Sequence, residues 1–394
     1  MLHLLQFVIL SVFCLTIHNQ AEFDALQEEL TSAIREGKTD IYVTLEPGTY
    51  IAKERHLTLE GIKAPDTKIH INGKDAVLMP EGTEYHDGDA YQGAFSTDNS
   101  WMSGAKDVEI WSNVQYADGL VDVWDANEKR CRIQCKNTFP KETDISNAYI
   151  LVTHWFHSSV YKIDKIDGNY IYFTTDDLKA SSYGGYNVND DYNYGKKDIR
   201  YKLCNVATSA DCICVVDGKV HLPDGVNSVR EGKTHNFLAI KNSKFSSVEI
   251  TGIQFRGGAF LQSNPAVIIK KTKCESIRIH KCGFYGMRGN VVSISASPNV
   301  RVDNCQFEDC YQYAVKSNNE SANTVVEKNS FISMGKRMNN TSCVRCQGTN
   351  FCVSDNVFID FGYGGIFTGV TYRNTMKQPC VGVIENNDLS FSQD

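Results

Sequence analysis

The chain of 394 residues carries a net charge of −7, and 42% of its residues are hydrophobic and 22% charged. This composition is ordinary for a globular protein and excludes a disordered polymer. The acidic balance, without a basic patch interleaved with aromatic residues, argues against nucleic acid as a partner. Because no phosphate-binding loop, dinucleotide fingerprint or metalloprotease motif occurs, we expect no cofactor and no metal ion.

The N-terminal segment is apolar. Residues 1–21 contain no Lys, Arg, Asp or Glu, Leu4–Ile17 is hydrophobic, and Ala21 offers a small residue for cleavage. This pattern predicts a signal peptide over residues 1–21, and hence a secreted, periplasmic or cell-surface protein. The alternative is a membrane anchor, although about 14 apolar residues are short for a span. No later segment has the length and hydrophobicity to cross a membrane, so we expect no integral membrane segment once the signal is removed.

Residues 22–110 are predicted to form a helix followed by short strands. Phe23, Leu26, Leu30 and Ile34 recur at helical spacing, and Gly37 is expected to end the helix. Strand-like segments separated by Gly and Pro turns follow. A stack of strands needs its end covered, so we predict that the helix caps the first coils of a solenoid.

Residues 111–235 follow a different pattern. Two β-rich runs flank Asp167-Gly168, and two more flank Asp217-Gly218, which predicts two tight hairpins. Antiparallel hairpins do not belong to a parallel solenoid. We therefore predict an inserted antiparallel β module over residues 111–235.

A tyrosine-rich stretch lies within this module. Its four tyrosines, which alternate with Asn, Asp and Gly, are Tyr183, Tyr186, Tyr192 and Tyr194. Aromatic faces with amide neighbours suit sugar rings, so these tyrosines are candidate substrate-binding residues. The alternative is an ordinary solvated loop.

Residues 236–394 contain a repeat. A Phe recurs at intervals of 29, 23, 24 and 27 residues, with apolar residues seven and five positions before it and a small or amide residue two positions before it. The five members are Phe255, Phe284, Phe307, Phe331 and Phe358. A period in the twenties with strand-forming residues predicts a solenoid. Leucine-rich repeats have a similar period, but they need Leu and a helical return.

The alternation within each repeat assigns directions to side chains. The apolar residues and Phe should face inward, and Asn329, Asn356 and Asn387 should form an amide ladder. Cys282 and Cys305 share that ladder position and are expected to pack as small hydrophobic residues. We predict an all-β fold, a right-handed parallel β-helix with a capping helix and an inserted module. The last repeat, at Leu389, has no coil after it, so we expect the chain to be incomplete at its C-terminus.

The same register predicts neighbours on the outer surface. Lys316 and Arg345 follow the inward residues Val315 and Val344 of consecutive coils, so they should lie about one strand spacing apart, roughly 4.8 Å. Two adjacent cations suit an anionic partner such as a uronate. The alternative is a charged surface with no ligand.

Two aspartates occupy one column of turns. Asp309 and Asp360 each come two residues after a repeat Phe, two coils apart, which predicts a separation of roughly 9.6 Å. That distance is at the upper edge of the range for inverting glycosidases, roughly 6.5–9.5 Å, and too long for a retaining pair. They are candidate catalytic residues, and the alternative is a pair of solvated turn residues.

Two motifs support a family resemblance. The strand that ends in Pro47-Gly48-Thr49-Tyr50 after a capping helix resembles the opening of pectin-lyase-like β-helices, and Gly364–Gly369 resembles a segment of Bacteroidetes β-helix proteins related to glycoside hydrolase family 141. The resemblance covers most of residues 40–370 through loose motifs. It implies an exported glycoside hydrolase, or its N-terminal portion, acting on a complex polysaccharide. In such proteins the acting carboxylates are expected in a later Asp-Asp-Gly-type segment, which this chain lacks.

Two other functions remain open. A polysaccharide lyase of the same fold would use a Lys or Arg base, with a cation or second Arg neutralising a uronate. A glycan-binding or adhesin solenoid would need no catalytic residue. One fold hosts many activities, so the fold alone does not choose between them.

Overall fold

A computed structural model gives the structure of the chain. It describes residues 11–95, 97, 100–103, 110–112, 115–117, 122–125, 130–139, 143–154, 157–174, 200–206, 212–232, 236–258, 265–318, 320–335, 342–362, 364–369 and 380–390. These residues belong to two compact units. The solenoid unit lies within residues 1–81, 233–336 and 341–394, and the inserted unit lies within residues 82–232.

The first part of the solenoid unit has one helix and six strands. In chain order they are β1 (Val12–Ile17), α1 (Gln20–Arg35), β2 (Asp40–Leu45), β3 (Thr49–Ala52), β4 (Leu57–Glu60), β5 (Lys63–Asn72) and β6 (Val77–Pro80). Helix α1 buries Phe23, Leu26, Leu30 and Ala33 against the first coils, and the side chain of Asn19 caps it by accepting a hydrogen bond from the amide of Glu22. The predicted capping helix is confirmed.

Strand β1 was missed by the sequence analysis. It pairs in parallel with β2 from Val12 opposite Asp40 to Ile17 opposite Leu45, and Ile17 is fully buried. Cleavage after Ala21 would remove both β1 and the helix cap Asn19. The signal peptide over residues 1–21 stays a prediction, but its last eleven residues have a structural role here. Among the described residues, no helix is long and apolar enough to cross a membrane.

The inserted unit contains twelve strands among its described residues. They are β7 (Gly82–Tyr85), β8 (Ser100–Met102), β9 (Gln115–Tyr116), β10 (Asp122–Asp125), β11 (Arg130–Gln134), β12 (Tyr149–His154), β13 (His157–Asp167), β14 (Tyr170–Thr174), β15 (Arg200–Cys204), β16 (Cys214–Val216), β17 (Lys219–His221) and β18 (Val229–Gly232). All their pairings are antiparallel, in sheets of seven, three and two strands. Both predicted hairpins are present, with positive φ at Gly168, Asp217 and Gly218.

The inserted unit starts earlier than residue 111, where the sequence analysis placed it. Strands β7 and β8 both pair with β18, which lies more than 120 residues later in the chain. Such a long-range antiparallel pairing leaves no periodic trace in the sequence, so the boundary was set too late.

The described residues of the rest of the solenoid unit form six further coils. Their strands are β19 (Leu238–Lys241), β20 (Lys244–Thr251), β21 (Gln254–Arg256), β22 (Val267–Lys270), β23 (Ser276–His280), β24 (Gly283–Tyr285), β25 (Val292–Ser295), β26 (Val300–Asp303), β27 (Gln306–Glu308), β28 (Val315–Ser317), β29 (Val325–Glu327), β30 (Ser330–Ile332), β31 (Ser342–Cys346), β32 (Thr349–Ser354), β33 (Val357–Ile359), β34 (Gly364–Thr368), β35 (Val381–Glu385) and β36 (Asp388–Ser390).

Three parallel sheets run along the solenoid. Sheet 1 has the order β1-β2-β5-β20-β23-β26-β29-β32-β35, sheet 2 has β3-β6-β21-β24-β27-β30-β33-β36, and sheet 3 has β4-β19-β22-β25-β28-β31-β34. Each complete coil contributes one strand to each sheet. The unit is therefore a right-handed parallel β-helix, as predicted.

The interior is built from the predicted columns. The five repeat Phe rings stack at centroid distances of 4.9, 4.9, 5.0 and 4.7 Å. The asparagine ladder is also present. Asn329 Nδ2 donates to Asn356 Oδ1 at 3.0 Å, and Asn356 Nδ2 donates to Asn387 Oδ1 at 2.9 Å. Cys282 and Cys305 are buried and donate their thiols to backbone carbonyls. These columns fix the register of every coil, and the register fixes which residues meet on the outer faces.

Candidate functional site

The outer face of sheet 3 carries the two cations predicted to be neighbours. One outward residue per strand forms a column across the sheet, in the order Thr58, Ala239, Ile268, Ser293, Lys316, Arg345 and Phe367. Lys316 on β28 lies directly opposite Arg345 on β31. The strand alternation that buries Val315 and Val344 is what turns both cations outward.

Tyr313 and Phe367 complete this site. The Lys316 amine lies 5.3 Å and the Arg345 guanidinium 5.5 Å from the centre of the Tyr313 ring. Arg345 also donates from Nη1 to the Tyr313 hydroxyl at 3.2 Å and lies 5.3 Å from the centre of the Phe367 ring. Two aromatic faces therefore hold the guanidinium, which restricts its orientation and lowers the entropy cost of binding a ligand.

The charge of Lys316 is destabilised in the folded protein. Burial, and then repulsion from Arg345, lower the pKa of the Lys316 amine below its ordinary value. Among the described residues, Arg345 is the charged group that perturbs the Lys316 amine, and no carboxylate forms an ion pair with it. Both effects favour either an anion beside the two cations or a neutral amine that can accept a proton.

Asp309 and Asp360 occupy equivalent turns, as predicted. The residue before Asp309 is Glu308, which pairs with Ile332 of the next coil, and Ile332 pairs with Ile359, the residue before Asp360. The two aspartates are therefore two coils apart. Both have positive φ, 52° and 56°, as do Gly286 and Ser333 at the same position of other coils. Left-handed turns favour Gly, Asn and Asp, so these aspartates have a conformational reason to be there. Their catalytic role stays a prediction.

The remaining candidates lie outside the described residues. Tyr183, Tyr186, Tyr192 and Tyr194 fall between β14 and β15, in a stretch that the structure does not describe, so their role in sugar binding stays a prediction.

The sequence analysis did not single out Tyr313 or assign a role to Phe367. Phe367 continues the outward column of Lys316 and Arg345, so the repeat register already predicted its direction. Tyr313 precedes β28 and lies in the turn between sheets 2 and 3. Alternation does not extend through a turn, so no sequence signal placed its ring under the two cations.

Sheet 1 carries a different cluster of charges on its outer face. Asp303 is buried, with its side chain 1% exposed, and accepts hydrogen bonds from Arg278 Nε at 2.8 Å and Arg278 Nη2 at 2.7 Å. His280 Nδ1 lies 2.7 Å from the same carboxylate. Although burial opposes the charged form, the hydrogen bonds of Arg278, Asn304 and His280 outweigh it and lower the pKa of Asp303 to about 2.

The network extends to both sides of Asp303. Arg278 also contacts Glu249 at 3.4 Å, and Glu249 lies 3.2 Å from His70 Nδ1. On the other side, Arg301 forms an ion pair with Glu327. Each cation of this network therefore has a carboxylate neighbour, whereas Lys63 and Lys244, opposite each other on β5 and β20, form no ion pair among the described residues.

Comparisons with known proteins show distant structural similarity. No protein-family profile and no curated protein sequence matches this chain. A solved structure titled "Glycoside hydrolase" aligns at a TM-score of 0.48 and 10% identity, covering 96% of each chain. The tailspike of Pseudomonas phage phi297 aligns at 0.18 and 8% identity, over 95% of this chain and 63% of the tailspike. The tailspike of Acinetobacter baumannii bacteriophage AP22, solved with capsular saccharide, aligns at 0.15 and 10% identity, over 95% of this chain and 70% of that tailspike.

Proposed function

We propose that this chain is an exported polysaccharide-active β-helix that binds an acidic glycan on the outer face of sheet 3 and cleaves it by β-elimination. The observation that carries the proposal is Lys316, an amine with a lowered pKa that lies beside Arg345 and has no ion-pair partner among the described residues. A uronate would place an anion beside Lys316, and a neutral amine could remove its C5 proton once a cation neutralises the uronate carboxylate and stabilises the charge that develops on it.

The residues divide the reaction between them. The Arg345 guanidinium, oriented by Tyr313 and Phe367, would bind the uronate carboxylate and stabilise the negative charge that develops on it. Neutral Lys316 would remove the C5 proton. The C–H electron pair would form the C4–C5 double bond while the C4–O bond breaks. The Tyr313 hydroxyl accepts a hydrogen bond from Arg345 and retains its own proton, which it can give to the leaving oxygen.

A glycoside hydrolase is the second candidate, because the register aligns Asp309 and Asp360 in one column. One carboxylic acid would protonate the glycosidic oxygen and the other carboxylate would activate water. Their spacing of two coils, roughly 9.6 Å, suits an inverting mechanism better than a retaining one.

The test is to follow both product types with polygalacturonate, polyglucuronate and a neutral glucan. The proposal predicts unsaturated ultraviolet-absorbing ends from an acidic polymer, lost in Lys316→Met and retained in Lys281→Met, a matched exposed lysine of another turn. Reducing ends without that absorbance, lost in Asp309→Asn with Asp360→Asn, would establish hydrolysis instead. If that double variant keeps full turnover, the hydrolase assignment is wrong. Binding of a polyuronate without turnover would overturn the lyase and support a binding solenoid.

A further inference from the structure

A second cluster of cations lies on sheet 3, several coils before Lys316. The second outward position of each strand places Glu60, Lys241, Lys270 and Ser295 in one column. Glu60, Lys241 and Lys270 line a cavity of about 320 Å³ together with two further cations from adjacent turns, Arg55 and Lys271. The cavity contains one carboxylate, Glu60, against these four cations.

Half of the four cations have a carboxylate partner among the described residues, and half do not. Lys241, whose side chain is 13% exposed, contacts Glu60 at 3.7 Å, and Arg55 contacts Glu54 at 3.9 Å. Within the part of the chain that the structure describes, Lys270 and Lys271 form no ion pair. In a protein with a net charge of −7, a cavity with two such cations attracts an anion.

Amide side chains add hydrogen-bonding groups to the cavity. Asn236 is buried and donates to the backbone carbonyl of Pro265, while Asn242 is exposed and has positive φ. The backbone amide of Arg55 donates to the carbonyl of Asn236 at 2.8 Å, which ties the two sides of the cavity together. A cavity held by backbone hydrogen bonds is largely preformed, so a ligand loses little free energy in ordering it.

We infer that this cavity is a second anion-binding subsite, which binds a remote carboxylate of the same glycan chain whose uronate lies at Lys316 and Arg345. This inference rests on the proposed function, because it assumes that one ligand spans both positions. Lys270 on β22 lies two strand spacings, or about 10 Å, from Lys316 on β28, and Lys241 on β19 lies four spacings, or about 19 Å, from Arg345 on β31.

The surface between the two subsites suits a sugar chain. The strand between them is β25, whose outward residues Ser293 and Ser295 are short and carry no charge, and Ile268 lines the cavity itself. The apolar side chain of Ile268 can pack against the face of a sugar ring, and the two serine hydroxyls can bond to its hydroxyl groups. The substrate is therefore an extended glycan with several acidic residues, aligned along the axis of the solenoid, and a single uronate would occupy only one subsite.

The decisive variant is Lys270→Glu with Lys271→Glu, measured by calorimetric titration with oligogalacturonates at constant ionic strength. We expect the affinity for a nonamer to fall by at least about tenfold, since two charge-assisted contacts are lost and two repulsions added. The affinity for the galacturonate monomer should change by less than about twofold, because a monomer cannot reach both subsites and binds at Lys316 and Arg345. Lys281→Glu with Lys328→Glu, exposed turn lysines outside sheet 3, is the matched control and should leave both affinities unchanged.

Equal losses for monomer and nonamer would overturn the inference, because they indicate a non-specific effect of net charge. Unchanged nonamer affinity would also overturn it, while leaving the proposed function intact. Failure of the proposed function has a different signature. Lys316→Met would then keep full turnover, whatever the result at Lys270 and Lys271. Circular dichroism confirms that each variant is folded before the titrations are compared.

Discussion

The outer faces of sheets 1 and 3 are built on the same coils, yet the cluster around Asp303 on sheet 1 and the pair of Lys316 and Arg345 on sheet 3 differ in how their charges are balanced. On sheet 1, Arg278 and His280 converge on the buried carboxylate of Asp303, and Arg301 pairs with Glu327. On sheet 3, Lys316 and Arg345 lie side by side over aromatic rings. Charged groups that already form ion pairs with one another have little electrostatic attraction left for a ligand. A face where two cations repel each other gains from binding an anion, and we assign function to the second.

The largest expected effect is a loss of activity from a substitution on sheet 3 that a substitution on sheet 1 does not cause. Replacing Lys316 with Met removes the proposed base but retains the stem that packs on Tyr313, so turnover of a polyuronate should fall by roughly 10²–10⁴-fold, the usual contribution of a general base. Arg301→Met on sheet 1 is the control and should keep its rate. Initial rates of ultraviolet-absorbing product measure both, and equal losses in the two variants would refute the distinction.

The pH dependence of turnover sharpens the role of Lys316. Because its neutral form is the base, the rate should rise by about tenfold per pH unit until the pKa of Lys316 is reached and then level off. Since burial and Arg345 lower that pKa, the plateau should begin below the ordinary lysine value of 10.5. A rate profile without a basic limb that depends on Lys316 would exclude the amine as base. The same lowering means that protonated Lys316 disfavours folding at neutral pH, so Lys316→Met should not destabilise the protein.

Sheet 1 should respond in stability rather than in activity. The pKa of Asp303 is lowered from 3.8 to about 2, so its ionised form stabilises the folded state by about 2 kcal/mol at neutral pH. This stabilisation is present above pH 3.8 and is lost as the pH falls towards about 2. Asp303→Asn should therefore lower the free energy of unfolding by about 2 kcal/mol at pH 7, and the difference from the wild type should shrink through that window. Urea titrations at several pH values measure it, and a constant difference at all pH values would contradict the assignment.

The smallest effect is expected at the solvated end of the same network. Arg301 is 44% exposed where it meets Glu327, so water and salt screen their attraction. Replacing Glu327 with Gln should cost less than about 1 kcal/mol, and less still in high salt. A loss as large as that of Asp303→Asn would show that the network acts as one unit rather than through its buried centre.

The repeats made most of the fold predictable. Alternation and the Phe interval identified the coils, the inward columns and the pairing of Lys316 with Arg345, because each depends on local periodicity. The network of sheet 1 was not predicted. His70 on β5 and Glu249 on β20 are 179 residues apart, with the whole inserted unit between them, so no repeat interval relates them.

Strand β1 and the second cation cluster were missed for two further reasons. The apolar residues of β1 fit a signal peptide as well as a strand, since both need only hydrophobicity. Arg55 and Lys271 lie in left-handed turns, and the periodicity of strands does not fix the direction of a side chain there. Lys241 and Lys270 belong to strands, but a binding role for them can be inferred only when the cavity that both of them line is known.

The central claim is that sheet 3, and not sheet 1, is the glycan-binding face. The most direct measurement is a calorimetric titration of polygalacturonate into three proteins: the wild type, the double variant Lys316→Met with Arg345→Met, and the variant Arg301→Met with Lys281→Met, which removes one cation of sheet 1 and one of the turn that follows it. We predict that the first and third bind with the same affinity and that the second does not bind. Equal binding by all three, or loss of binding in the third alone, would contradict the account.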